Sequence, residues 1–225
     1  MAKRAEQAPR RGDALSKERI VRAAIEILDV DGETALTFRA LAARLATGSG
    51  AIYWHVADRN ELLAAATGDA LAPALGQIGG GTEPKTAIRA IALGIFDAID
   101  AHPWAGAHLS REPWHPVVGE LFERVGGRLE ALGVPGDALF DGASALASYI
   151  LGVACQNAAN ARLVPVGTDR KEFLAAIAAR WTQDDPEAHP FLRQVAARLR
   201  EHDDRQQFLA GIDLILAGAC ATRAG

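Results

Sequence analysis

Cysteine is scarce: Cys155 and Cys220 are the only two in 225 residues, without metal or redox spacing, and nothing resembles a disulfide framework. Aromatic residues reach only 6%, and no run reads convincingly as a strand. The polar, basic N-terminal end lacks the apolar run of a signal peptide, so a cytoplasmic chain is expected. The longest uncharged run, Gly142 to Ala161, has the twenty residues of a membrane span. Ser144, Ser148, Gln156, Asn157 and Asn160 interrupt it and alanine supplies much of its apolar content. A buried helix, not a membrane segment, is therefore expected. No Gly-x-Ser-x-Gly elbow, His-Glu-x-x-His, P-loop or dinucleotide fingerprint is present, so neither enzyme activity nor a cofactor is expected. His102, His108 and His115 lie six and seven apart rather than the four that suits a helical metal site.

Alanine fills about a fifth of the chain, which favours helix over strand. The net charge of −4 is unevenly spread. Residues 1–60 carry ten basic against eight acidic side chains, and the remainder fourteen against twenty. A mildly basic end on an acidic protein is compatible with nucleic-acid binding there, and equally with a solvated tail.

Residues 1–13, with Lys3, Arg4, Arg10 and Arg11, lack periodicity and read as a flexible basic arm. Ser16 is a plausible N-cap for a helix whose Ile20, Ala24, Ile27 and Leu28 share a face, closed by Gly32. Thr37 caps a second, short amphipathic stretch carrying Phe38, Leu41 and Leu45. After a break at Thr47 to Gly50, Ile52 and Val56 resume the pattern. Two short helices around a tight turn make a helix-turn-helix candidate. Its second helix would turn Ser49, Gly50, Ala51, Tyr53 and Trp54 outward towards DNA. Asp58 with Glu61 forms a capping box before the next helix, where Arg59 could add a charged contact. Pro73 ends or kinks that helix, and Gly79-Gly80-Gly81 punctuates the chain. Helical patterns then dominate to the C-terminal end, so the fold class is all-α.

The segment from Ser16 to Leu63 resembles the DNA-binding domain of the tetracycline-repressor (TetR) family of bacterial regulators. The resemblance lies in Ile20, Val21, Ala24, Leu28 and Gly32, then Leu36 to Ala42, Ala51 to Val56, Asp58, Arg59 and Glu61 to Leu63. It implies that Thr37, Arg39, Tyr53, His55 and Arg59 occupy positions that meet DNA. Ser49 and Gly50 align with the variable start of the recognition helix. Ala46 stands where the family usually has the turn glycine, Thr47 where it has an apolar residue, and Ala51 where a phosphate-binding threonine is common. The implied organisation is a helix-turn-helix domain over 14–62 and a helical effector-binding and dimerising domain over 63–225.

In the larger part, Phe208, Ile212, Ile215 and Ala219 form one stripe and Leu209, Leu216 and Cys220 another. Two stripes suit burial against both its own domain and a second copy, a homodimer through the C-terminal helices. The His102 to His115 segment reads as irregular and proline-interrupted, rich in aromatics. Trp104, His108 and Trp114, facing Tyr149, Gln156 and Asn160 on one long helix, are the candidate walls and polar anchors of a ligand pocket. The expected partners are double-stranded operator DNA and a small apolar or aromatic effector.

Overall fold

A computed structural model describes residues 15–76, 81–163, 167–183 and 189–221. The basic arm and Gly79-Gly80 lie outside the described residues. Among those described there is no strand. Eleven α-helices follow one another: α1 Lys17–Asp31, α2 Phe38–Arg44, α3 Ser49–Tyr53, α4 Arg59–Leu71, α5 Pro84–Ala101, α6 Pro103–Arg111, α7 Pro116–Ala131, α8 Gly136–Ala161, α9 Arg170–Gln183, α10 Pro190–Leu199 and α11 Asp204–Ala221.

Local chemistry sets the helix boundaries. The hydroxyls of Ser16 and Thr37 accept from the amides of Arg19 and Ala40, satisfying N–H groups that a helix start leaves open. Asp58 accepts from Glu61 N–H at 2.8 Å, and the Glu61 carboxylate returns to the amide of Ala57, one residue outside the usual capping box. Gly32 closes α1 with φ +78° and ψ 178°, an extended mirror-image conformation rather than the expected left-handed helical one. Pro73 ends α4 and falls in a 3₁₀ turn. The helix carrying Ile88 to Ile99 stops at Ala101, just before Pro103, which opens α6 at a first-turn position, where the missing N–H costs nothing. The His102–His115 segment is thus largely helical, not irregular.

Two hydrophobic cores result. The smaller gathers Ile20, Ile27, Leu41, Ile52 and Leu62 from the first four helices and Leu36 from the link between α1 and α2, together with Trp104 and Ala105 of α6. The larger is built on α5, α7, α8 and α11, with Ile95, Ile99, Leu121, Ile150 and Phe208 among its members. Helix α4 belongs to both, since Leu62 and Leu63 enter the first core and Leu71 the second. The uncharged run forms most of α8, which has the length and the mean hydropathy, 1.5, of a membrane-crossing helix. It packs against α5, α6, α7 and α11 instead, burying Leu146, Ile150, Ala154 and Ala158.

Candidate nucleic-acid interface and effector cavity

The short α3 is held by one deep anchor. Ile52 is fully buried beside Leu41, and Val56 follows it inward. The same rotation leaves Ser49, Gly50, Tyr53 and Trp54 outside. Tyr53 is 56% exposed and lies flat on Phe38, ring centroids 4.3 Å apart and planes 5° from parallel. That stacking joins α2 to α3 and limits how the phenol can move. Trp54 is 89% exposed, an unusual position for an indole with nothing on it. The turn between the helices passes through Ala46 at φ +51°, the left-handed region usually left to glycine.

The charged candidates separate. Arg39 is exposed and has no ion-pair partner among the described residues, so its guanidinium is available. Thr37 uses its oxygen as a cap acceptor, leaving its O–H to donate. His55 is half-buried near Glu18. Arg59 is engaged inward: it donates to the carbonyl oxygens of Leu36, at 3.0 Å, and Glu33, with the Glu33 carboxylate at 3.6 Å. It ties the start of α4 to the approach to α2, and that role precedes any phosphate contact. Arg44 is paired with Glu26 and Lys17 with Glu61.

Residues 20–66 match the family model for bacterial regulatory proteins of the tetR family. Over nearly its whole length the chain is similar to the transcriptional regulator SCO7222, a TetR from Streptomyces coelicolor. The two are 50% identical with a TM-score of 0.84, covering 93% of this chain and 99% of that one. The chain belongs to the TetR family. It is also 29% identical to an HTH-type transcriptional regulator of Saccharopolyspora erythraea over 66% of its length, spanning only 64% of that protein. BioQ, crystallised with its double-stranded DNA operator, is 27% identical with a TM-score of 0.57, over 67% of this chain and 90% of that one.

In this TetR-family chain the expected pocket residues do not converge. Trp104 is 4% exposed and lies in the N-terminal core, its indole N–H donating to Asp29 at 2.7 Å. His102 donates to the same carboxylate oxygen through Nδ1, also at 2.7 Å. Trp104 is therefore a bolt between α6 and α1, not a ligand wall. Trp114, at 94% exposed, is on the surface, and Gln156 is exposed too. Tyr149 stacks on Phe208 and donates to its carbonyl at 3.3 Å, which fastens α8 to α11. His108 is buried beside His115, with Nε2 lacking any hydrogen-bond partner. Burial holds its pKa below the ordinary 6.5, with the neighbouring His115 adding to the effect. His115 itself is fixed as the Nε2–H tautomer, since Nε2 donates to Ala64 O and Nδ1 accepts from Val117 N–H.

Two adjoining cavities lie elsewhere, where α5 and α8 meet α9, α10 and the start of α11. A chamber of about 710 Å³ has a polar wall that includes Asp97, Asp100, Lys171, Arg200 and Asp204. A second, of about 250 Å³, is lined mainly by Leu163, Phe173, Ile177, Trp181 and Leu199, with Asn157 and Asn160 at its edge. Asn157, Arg170, Leu174, His202 and Asp204 border both. Of the six expected pocket residues only Asn160 lines this site. The rest of the lining was out of reach of sequence reasoning because its members sit on separate helices whose packing angles no local pattern contains. The one local signal was Phe173, Ile177 and Trp181, spaced by four along α9.

Proposed function

We propose that this TetR-family protein is a cytoplasmic homodimeric repressor, released from its operator by a small apolar or aromatic molecule bound in the helical domain. The observation that carries the DNA-binding part is the exposed Ser49, Gly50, Tyr53 and Trp54 surface on a helix anchored by buried Ile52. Ser49 and Gly50 read bases at the groove-facing start of α3, while Thr37, Arg39 and Tyr53 position the domain on phosphates. His55 and Trp54 lie beside them, and Arg59 supports the site from behind. BioQ bound to its operator supports the same use of the domain.

Dimerisation is supported by two packed helices with unfilled outer faces. Ala145, Ser148 and Gly152 on α8 and Ala210, Leu214 and Ala217 on α11 are exposed at helical spacing. Small residues there permit close packing of a second copy. A two-fold pair sets two recognition helices about 34–36 Å apart, one turn of DNA. The effector part rests on the aromatic chamber beneath Trp181.

The test is binding of the full chain to DNA from its own promoter region, compared with Gly50→Gln. A Cβ at Gly50 meets nothing within 4 Å, so a side chain there leaves the fold intact. Selection from random DNA should return a different preferred site for the variant. The same site for both proteins, or no retardation of promoter DNA by the unaltered chain, overturns the reading.

A further inference from the structure

We propose that Glu33 is a positioning residue for operator recognition: through Arg111 and Arg59 it braces the DNA-binding unit against the helical domain and fixes the orientation of α3. The proposal rests on the reading of Ser49 to Trp54 as the face that meets DNA. Helix α4 enters both hydrophobic cores and runs unbroken between them. One shared helix leaves two bodies free to swing about its axis, so a second attachment has to set their angle. Helix α6 supplies it. Trp104 and Ala105 are packed in the smaller core and Leu109 in the larger. Its seat is close, since a Cβ on Gly106 would fall 2.9 Å from Ile99 Cγ2 and 3.0 Å from Cys155 Sγ. The helix is therefore a firm platform on α5 and α8.

Two carboxylates of the DNA-binding unit hold on to that platform, one at each end. Near the start of α6, Asp29 of α1 accepts from Trp104 and His102. Arg111, the last residue of α6, reaches Glu33 Oε2 at 2.6 Å, in the 3₁₀ turn Glu33–Ala35 between α1 and α2. The other oxygen of Glu33 faces Arg59, the first residue of α4, at 3.6 Å. Arg59 in turn donates to the carbonyl oxygens of Leu36 and Glu33. Leu36 directly precedes Thr37, the cap of α2, and Tyr53 of α3 stacks on Phe38 of α2. Arg111, Glu33 and Arg59 form one chain of contacts from the end of α6 to the helices that face DNA.

The two attachments differ in kind. Trp104 is buried and holds the fold together. The Glu33 side chain is 30% exposed and that of Arg111 52%, and an ion pair in that setting contributes little to folding. What it can do is select among orientations of nearly equal energy. A specific site demands that selection, because the two recognition helices of a pair must enter their grooves at a set spacing. Random sequence, bound through phosphate contacts, does not.

The measurement is the affinity of the full chain for its preferred duplex, found by selection from random DNA, divided by that for a scrambled duplex of equal length. Glu33→Ala and Arg111→Gln change the net charge in opposite directions, so their effects on scrambled DNA should be opposite in sign. Both should nevertheless lower the ratio, by about fivefold per protomer, the most that an exposed ion pair contributes to one orientation. The double variant should lose no more than the larger single loss, since both remove the same contact. Arg124→Gln, which breaks the Arg124–Glu120 pair within α7, is the control and should leave the ratio unchanged. Melting temperatures should move by less than about 4 °C. A larger fall would make the contact part of the fold and overturn the positioning role. An unchanged ratio in both single variants, or additive losses in the double variant, overturns the proposal while the DNA-binding reading stands. A log–log salt slope flatter by about 0.9 in Arg111→Gln would make Arg111 a phosphate contact and overturn it as well. If selection returns no preferred duplex for the unaltered chain, both readings fall.

Discussion

Trp104→Ala separates a structural bolt from a ligand wall. The indole is 4% exposed, packed in the N-terminal core, and bonded to Asp29, which also receives His102. Removing a buried tryptophan side chain costs about 3–5 kcal/mol in lost transfer energy and residual cavity. Asp29 adds little, because it keeps His102 and its side chain is 32% exposed to water. At roughly 2–4 °C per kcal/mol for a chain of this size, the melting temperature should fall on the order of 10 °C. Asp29→Ala tests the other partner: it leaves the buried indole N–H without an acceptor, at about 1–3 kcal/mol. Together the substitutions should cost less than the sum of the two, since each removes the same bond. Urea denaturation of the single and double variants measures all three. Because α6 touches both α4 and α8, operator affinity should fall for Trp104→Ala even below its melting temperature. A loss of stability below about 1.5 kcal/mol with operator affinity intact would refute the placement of Trp104 in the core.

Gly211→Ala should destabilise the α8–α11 pair by about 1–3 kcal/mol, because its Cβ would fall 1.9 Å from the Tyr149 hydroxyl and 2.2 Å from its ring. Additional Tyr149→Phe should recover little, as the ring still clashes; full recovery in thermal melts would count against this geometry. Ala46→Gly should stabilise the protein by about 0.5–1 kcal/mol, relieving the left-handed alanine less the extra unfolded-chain entropy of glycine. An unchanged or lower melting temperature would mean the turn carries no such strain. His108 is buried and neutral with a depressed pKa, so the unfolded chain takes up its proton first as acidity rises. Stability should therefore decline as pH falls through about 6.5, and should level off below the folded-state pKa. The neighbours that tune it are His115 and Arg111, which disfavour the proton, and Glu112 and Glu33, which favour it. His108→Leu should flatten the profile of melting temperature against pH, and an equally steep profile would exonerate this histidine.

The helices were legible in the sequence because their causes are local. Ser16, Thr37 and Asp58 each cap a helix through an amide three residues away, and the spacing of Ile20, Ala24, Ile27 and Leu28 is the helical repeat itself. The outward side of α3 was legible for the same reason, since burying Ile52 and Val56 fixes where Ser49, Gly50, Tyr53 and Trp54 must point. Proline was ambiguous locally: Pro73 ends a helix and Pro103 starts one, a difference set by whether the preceding turn needs the missing N–H. The cavity could not be read from spacing. Trp104, Tyr149 and Trp114 share composition with a ligand wall, but tertiary packing sent the first to the core around α1, the second to Phe208 and the third to solvent. Phe173, Ile177 and Trp181 share one face of α9, but the wall they form with Leu163 and Leu199 exists only once α8, α9 and α10 pack together, a result that depends on distances no linear pattern contains.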